Sequence, residues 1–280
     1  MKHLNHLLVT AIHASLDAGK AVLDVYESDF RVETKADGSP LTLADQRSHT
    51  IIDAKLIPIG PPILSEEGKD IPYEERNTWE MFWLMDPLDG TKEFIHRRGE
   101  FTVNIALIEG KRPILGVIYV PTQRWLYFGH VGIGAFRVRG PDASNAMASV
   151  GLTEEAISTA VFEKSEKLPI ATTGVSTLTI IGSRSHATDR LGEFVEEQRR
   201  KGHSAEFISA GSSLKFCRVA EGMADVYPRF GPTMEWDTAA GQAISQCAGA
   251  EVTEYLTGTP LSYNKPDLHN PWFIVRREPR

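Results

Sequence analysis

The chain has 280 residues and a formal net charge of −7, with 30 Lys and Arg against 37 Asp and Glu. That length can bury a substantial core as one large domain or two fused ones, and the acidic balance excludes a sequence-independent nucleic-acid binder, which needs a basic face to displace phosphate counterions. No apolar run approaches the roughly 18 residues of a membrane span, the amino end is amphipathic and His-rich, and Cys217 and Cys247 lack metal-ligand spacing, so the reading is a cytoplasmic protein with buried free thiols.

Leu4, Leu7, Leu8, Ala11, Ile12, Ala18, Val22 and Val25 recur at helical spacing and predict one long amphipathic helix packed on a sheet. Arg31 to Lys35 reads as a short strand ending in the Asp37-Gly38-Ser39-Pro40 turn, and a second helix follows from about Thr42 to Leu56. Strands are expected at Ile63–Ser65, Met81–Met85, Val103–Ile108, Ile114–Val120 and Trp125–Phe128, separated by Gly and Pro turns, which suggests an antiparallel sheet. The stretch from Gly140 to about Leu168 is small, polar and weakly patterned, and is read as the crossing into a second half. There, strands Leu178–Ile181, Glu206–Ile208 and Ala224–Tyr227 alternate with helices Asp189–Lys201, Ser213–Glu221 and Trp236–Ala248. That alternation implies a wound α/β layer with ligand sites at strand ends. The expected division is residues 1–145 as an α+β half and residues 146–280 as an α/β half, closing in a solvated tail from Arg276 to Arg280.

Acidic chemistry is concentrated in Ser65-Glu66-Glu67 and in Asp86-Pro87-Leu88-Asp89-Gly90-Thr91. Carboxylates are the ligands that hard divalent cations such as Mg²⁺ prefer. Pro87, with its fixed φ and missing N–H, stiffens the turn between Asp86 and Asp89 and exposes the Leu88 carbonyl as a further candidate ligand. Gly90-Thr91 then opens a helix whose free N–H groups favour an anion, so metal and phosphate would sit in contact. An ordinary Asp-Gly turn is the bland competitor, but it leaves the upstream Ser-Glu-Glu unexplained. Asp45 likewise fits a capping box with Thr42, and Asp237 an N-cap for the last helix. Gly241 costs about 1 kcal/mol relative to Ala inside a helix, which suggests close packing that brings this helix start to the other carboxylates.

Glu66-Glu67, Asp86 to Thr91 and Trp236-Asp237-Thr238-Ala239-Ala240-Gly241 resemble, in order and spacing, the three signatures of the inositol monophosphatase superfamily of lithium-sensitive, Mg²⁺-dependent phosphatases. The segments Gly99 to Asn104, Gly182 to His186, Gly211 to Lys215 and Tyr227 to Thr233 resemble its CysQ-type 3'(2'),5'-bisphosphate nucleotidases, which remove the 3'-phosphate from adenosine 3',5'-bisphosphate. The resemblance implies a layered αβαβα sandwich of the inositol monophosphatase and fructose-1,6-bisphosphatase type, and a cofactor set of two or three Mg²⁺ ions. One ion is implied at Glu66, Asp86 and the Leu88 carbonyl, and a second at Asp86, Asp89 and Asp237. Thr91 with Asp45 is implied as the water-activating pair, and Gly90 with Thr91 as the phosphate cradle. Ser183, His186, Ser212 and Lys215 would line the nucleotide pocket and Arg229 would grip the 5'-phosphate.

Around these, Glu67 is read as flanking, Met234-Glu235 as a pocket wall with a solvent-facing Glu235 as the alternative, and Arg97 with Arg98 as mostly a solvated loop, with attraction of anionic substrate as the lesser reading. The expected partner is a small-molecule nucleotide, with no nucleic acid and no integral membrane segment, and the expected state is a monomer or weak dimer. Peripheral attachment to the inner face of a membrane is compatible with the branch, although no basic amphipathic patch here calls for it. Two other readings stand beside the nucleotidase. An inositol or sugar phosphatase would share the metal ligands but need no second phosphate grip from Lys215 and Arg229. A non-catalytic nucleotide sensor would need no water-activating pair.

Overall fold

The structure is a computed structural model and describes residues 2–34, 40–140, 162–171, 177–183 and 189–277. The chain opens with helix α1 (Lys2–Tyr26), the short antiparallel strands β1 (Val32–Thr34) and β2 (Pro40–Thr42), and helix α2 (Leu43–Leu56). A seven-stranded sheet follows, ordered β3 (Ile63–Ser65), β4 (Met81–Asp89), β5 (Thr102–Glu109), β6 (Arg112–Val120), β7 (Trp125–His130), β8 (Gly134–Arg139) and β9 (Glu166–Lys167). It is antiparallel except between β3 and β4, whose ends Ser65 and Met85 lie in parallel register. Short helices α3 (Tyr73–Arg76) and α4 (Thr91–Ile95) flank β4.

The remaining elements are β10 (Thr177–Gly182), helix α5 (Asp189–Arg200), β11 (Ser204–Ser209), helix α6 (Leu214–Glu221), β12 (Val226–Arg229), helix α7 (Glu235–Cys247), β13 (Glu251–Glu254) and β14 (Phe273–Arg276). They build a five-stranded sheet in the order β11-β10-β12-β14-β13, parallel across β11, β10 and β12 and antiparallel beyond.

Period-two alternation explains how the layers stack, because successive side chains of a strand leave on opposite faces. On β4, Trp83 and Met85 face α1 and pack with Leu8, Ile12, Ile105, Val117 and Phe128. Phe82 and Leu84 face the other way, joining Phe216 of α6, Ala239 and Ile244 of α7, and Tyr227, Phe273 and Val275 of the second sheet. The far side of that sheet buries Ile180, Val226 and Ile274 against Leu191, Phe194 and Val195 of α5. The order is thus α1/α2, seven-stranded sheet, α6/α7, five-stranded sheet, α5: the αβαβα sandwich. Strands with both faces buried read as near-continuous apolar runs, which is why β4 to β6 were legible in the sequence.

Several elements differ from the sequence reading. Strand β4 runs on through Asp89, with an irregularity in register between Asp86 and Asp89 where Pro87 interrupts the ladder. Strands β8, β9, β13 and β14 were not anticipated; β9 pairs with β8 although it lies beyond residue 145. Strand β12 reaches Arg229 despite Pro228, because only Val226 pairs with β10 and the proline meets β14 alone. The supposed solvated tail is a correction: Arg276 closes β14, and Arg277 is buried, donating to the carbonyls of Val219, Ala220 and Ala248. Those carbonyls lie at the ends of α6 and α7, where the last C=O groups lack helical partners. Residues 278–280, and most of the crossing between the halves, lie outside the described residues.

Candidate active site

Three chain segments, distant in sequence, deliver carboxylates to one place. The end of β3 passes into a turn in which Gly68 N–H donates to the Ser65 carbonyl at 3.1 Å and Glu66 N–H donates to Met85 O at 3.2 Å. This ties Glu66 to β4 one residue before Asp86. Asp86 is 1% exposed and its Oδ1 accepts from Leu88 N–H at 3.0 Å, while Ser48 of α2 donates to the Pro87 carbonyl at 2.6 Å. Asp237 stands at the start of α7, where its Oδ2 accepts from Met234 N–H at 2.8 Å. One carboxylate oxygen each from Glu66, Asp86 and Asp237 lies within 4.8 Å of the others.

Such crowding is costly for bare charges. Burial, followed by the charges of Glu66, Asp89 and Asp237, pushes the Asp86 carboxyl well above the ordinary carboxylate range. Burial and then Asp89 do the same at Asp237. Like charges and desolvation together favour the protonated forms, and a divalent cation would remove both penalties at once. The donor set is all hard oxygen, which fits Mg²⁺.

Asp89 stands beside this cluster, oriented by its own shell. Its Oδ2 accepts from the Ser212 hydroxyl at 2.5 Å and from Asn104 Nδ2 at 3.3 Å, and Ser213 Oγ lies 2.9 Å from it and 2.9 Å from the Asp237 carbonyl. Ser212 lines the cavity over the site while turning its hydroxyl to the Asp89 carboxylate. Ser213 and Asn104 were not among the expected site residues, although Gly211 to Lys215 and Gly99 to Asn104 carried the signal.

Asp45 makes the contacts of both readings that looked like competitors. Its Oδ2 accepts from Thr42 N–H at 2.7 Å and the Thr42 hydroxyl at 2.6 Å, the acidic side of a capping box. Its Oδ1 faces the Thr91 hydroxyl at 3.4 Å, and that hydroxyl is also 3.3 Å from the Leu88 carbonyl. Gly90 precedes α4 with φ +90°, a left-handed conformation that a side chain would strain, and a Cβ there would sit 3.1 Å from the Glu100 carbonyl.

A cavity of about 250 Å³ opens over these groups, lined among others by Glu66, Asp89, Thr91, Ser183, Arg229 and Asp237. Arg229 donates through Nη2 to the Pro232 carbonyl at 2.9 Å, and its buried Nε has no hydrogen-bond partner among the described residues. Lys215 also lines the cavity but is 5% exposed, its amine held by the carbonyls of Ala210 and Ser212. Burial lowers its pKa to about 8. His186 lies outside the described residues.

One neighbouring expectation is corrected. Glu235 is no pocket wall: it is fully buried, paired with Lys265 at 2.6 Å and accepting from Asn264 N–H at 2.6 Å. Arg97 and Arg98 are exposed, as the solvated-loop reading has it, and the Arg97 guanidinium lies over the rings of Tyr26 and Phe30 and donates to the Ser28 carbonyl.

An αβαβα sandwich with clustered carboxylates between its halves is the architecture of the inositol monophosphatase family, whose model matches residues 3–272, and the chain belongs to that family. It is 42% identical over 265 residues to the 3'(2'),5'-bisphosphate nucleotidase CysQ of Escherichia coli (strain K12), covering 92% of this chain and 95% of that protein. The crystal structure of CysQ from Bacteroides thetaiotaomicron, a bacterial member of the inositol monophosphatase family, matches with a TM-score of 0.84 and 47% identity over 96% of this chain and 97% of that one. The extragenic suppressor protein suhB from Bartonella henselae, at 22% identity and a TM-score of 0.71 over 96% of this chain and 93% of that one, shares the fold. No described helix is long and apolar enough to cross a membrane.

Proposed function

We propose that this chain is a Mg²⁺-dependent phosphatase that removes the 3'-phosphate of adenosine 3',5'-bisphosphate to leave AMP, with the 5'-phosphosulfate form as a related substrate. The observation that carries the reading is the convergence of Glu66, Asp86 and Asp237 beneath a cavity that also holds Thr91 and Arg229. Relatives named as CysQ nucleotidases over nine-tenths of the chain support the choice of substrate.

Glu66, Asp86 and the Leu88 carbonyl would hold one cation, and Asp86, Asp89 and Asp237 a second. Bound cations supply charge that stabilises both the attacking and the leaving oxygen of an in-line displacement. The chain's own groups do the rest. The Thr91 hydroxyl, held by Asp45 Oδ1, accepts a hydrogen bond from the attacking water and orients it, as a general-base pair does. The Gly90–Thr91 backbone lies against the phosphate being cleaved. Arg229 grips the 5'-phosphate that remains, since a guanidinium with an unpaired buried N–H suits a phosphate oxygen. Lys215 contributes by holding the Ala210–Ser213 segment that orients Asp89. In this reading, residues 1–145 bring most of the metal ligands and residues 146–280 the nucleotide grip.

The test is a phosphate-release panel with adenosine 3',5'-bisphosphate, inositol 1-phosphate and fructose 1,6-bisphosphate under Mg²⁺, with and without Li⁺. Preferential, lithium-sensitive release from the nucleotide is expected. Faster release from inositol 1-phosphate would overturn the substrate assignment, and full release after chelation would overturn the metal role.

A further inference from the structure

Helix α2 reaches three separate parts of the site from one face. Asp45, Ser48 and His49 are spaced so that their side chains leave the same side of a helix. Asp45 faces Thr91, Ser48 donates to the Pro87 carbonyl, and His49 Nδ1 lies 3.1 Å from Ser65 Oγ. One turn further on, Asp53 Oδ2 lies 3.3 Å from His49 Nε2.

The polarity of this chain of contacts is set at its outer end. The Asp53 carboxylate can only accept, so the proton of a neutral His49 sits on Nε2 and Nδ1 accepts from the Ser65 hydroxyl. Ser65 Oγ in turn accepts from Glu67 N–H at 3.3 Å. Ser65 is the first residue of the turn that presents Glu66, and β4 holds that turn on one side only, through Met85. On the other side there is a cavity of about 400 Å³, lined by His49, Asp53, Ser65 and Gly68 together with Ile57 and Pro62. On the cavity side, the hydrogen-bond chain through Ser65 is therefore what ties the turn to α2.

We propose that His49 is a positioning residue for the metal site: through Ser65 it fixes the turn that aims Glu66 at Asp86 and Asp237. The inference rests on the reading of Glu66 as a ligand. Groups behind a metal ligand commonly set affinity by orienting it, and losing one typically weakens binding on the order of tenfold or more.

The test is a titration of the substrate-free, full-length protein with Mn²⁺, following the free ion by electron paramagnetic resonance. Thermal melts of each metal-free variant accompany it. Ser65→Ala and His49→Ala are each expected to weaken binding on the order of tenfold, and the double variant no further, because both cut one chain. His49→Asn places an amide oxygen where Nδ1 was and is expected to bind within about twofold of the parent, whereas His49→Gln, reaching toward Asp53 instead, is expected to be as weak as alanine. Parental affinity in Ser65→Ala or His49→Ala, or a His49→Asn as weak as His49→Ala, would overturn the proposal. If His49→Ala does not fold, Ser65→Ala and His49→Asn decide the matter on the same criteria. Glu66→Ala separates the two readings: if it binds like the parent, the ligand assignment itself falls, whereas a loss there with parental Ser65→Ala sinks only the role of His49.

Discussion

The ring of Phe216 fills the space that any side chain at position 241 would need: a Cβ built on Gly241 falls 2.4 Å from Phe216 Cγ. The glycine is what lets α7 lie close to α6, and α7 carries Asp237 on its first turn.

Gly241→Ala should therefore destabilise the protein even though alanine favours helix. Overpacking costs typically 1–3 kcal/mol, against about 1 kcal/mol gained in helix propensity. The expected net loss is about 0–2 kcal/mol, toward the upper end because the overlap is with ring atoms at 2.4 Å, and should appear as a fall of a few degrees in Tm by calorimetry. An unchanged or higher Tm would show that α7 can move away from Phe216 freely.

Asp45 and Thr42 offer a separation of stability from chemistry. Thr42→Ala removes part of the cap and should cost about 1 kcal/mol of stability, leaving kcat within a few-fold, because Asp45 Oδ1 still faces Thr91. Asp45→Asn should lower kcat about 100-fold or more, the scale of a lost general base. Equal kcat for Asp45→Asn and the parent would remove the catalytic role from this residue.

Arg229→Ala should act on one substrate class alone. Truncating a charged partner of a phosphate costs about 2–3 kcal/mol, so kcat/KM for adenosine 3',5'-bisphosphate should fall roughly 30- to 150-fold, while inositol 1-phosphate turnover stays within a few-fold. Equal losses on both substrates would place Arg229 at the cleaved phosphate instead.

The raised carboxyls of Asp86 and Asp237 give the metal-free protein a defined pH dependence. Their folded pKa values exceed the unfolded ones near 4, so the folded state keeps protons that the unfolded chain has lost. Stability of the metal-free form should then fall as pH rises from about 4 through the elevated folded values. A cation takes the place of those protons, so the Tm gained on adding Mg²⁺ should be larger at about pH 7.5 than at about pH 5. Melts in chelator and in Mg²⁺ at both pH values check this; an equal gain at both would contradict it.

How much of this was legible beforehand follows from distance along the chain. Asp86, Asp89 and Thr91 share one strand end, so their grouping could be read from local chemistry. Asp237 looked like a cap by its local chemistry; Gly241 pointed to close packing of its helix, and resemblance to a family joined it to the others. The partners that orient Asp89 come from β5 and from the loop before α6, and no local pattern in the sequence announces a contact between Asp89 and Ser213. Lys215 was read as lining the nucleotide pocket, and it does line the cavity, but sequence does not reveal burial, and burial is what turns its amine to backbone carbonyls. Strands β13 and β14 have four residues each, too few for alternation to show. Arg277 read as part of a charge run because helix-end carbonyls that accept from it are visible only once α6 and α7 are packed.

The central claim is that Glu66, Asp86 and Asp237 jointly hold divalent cations, and anomalous diffraction from Mn²⁺-soaked crystals tests it most directly. The account predicts two anomalous peaks, one within ligand distance of Glu66 and Asp86 and a second within ligand distance of Asp86, Asp89 and Asp237. A structure with Asp237 turned away and no peak between Glu66 and Asp86 would contradict it.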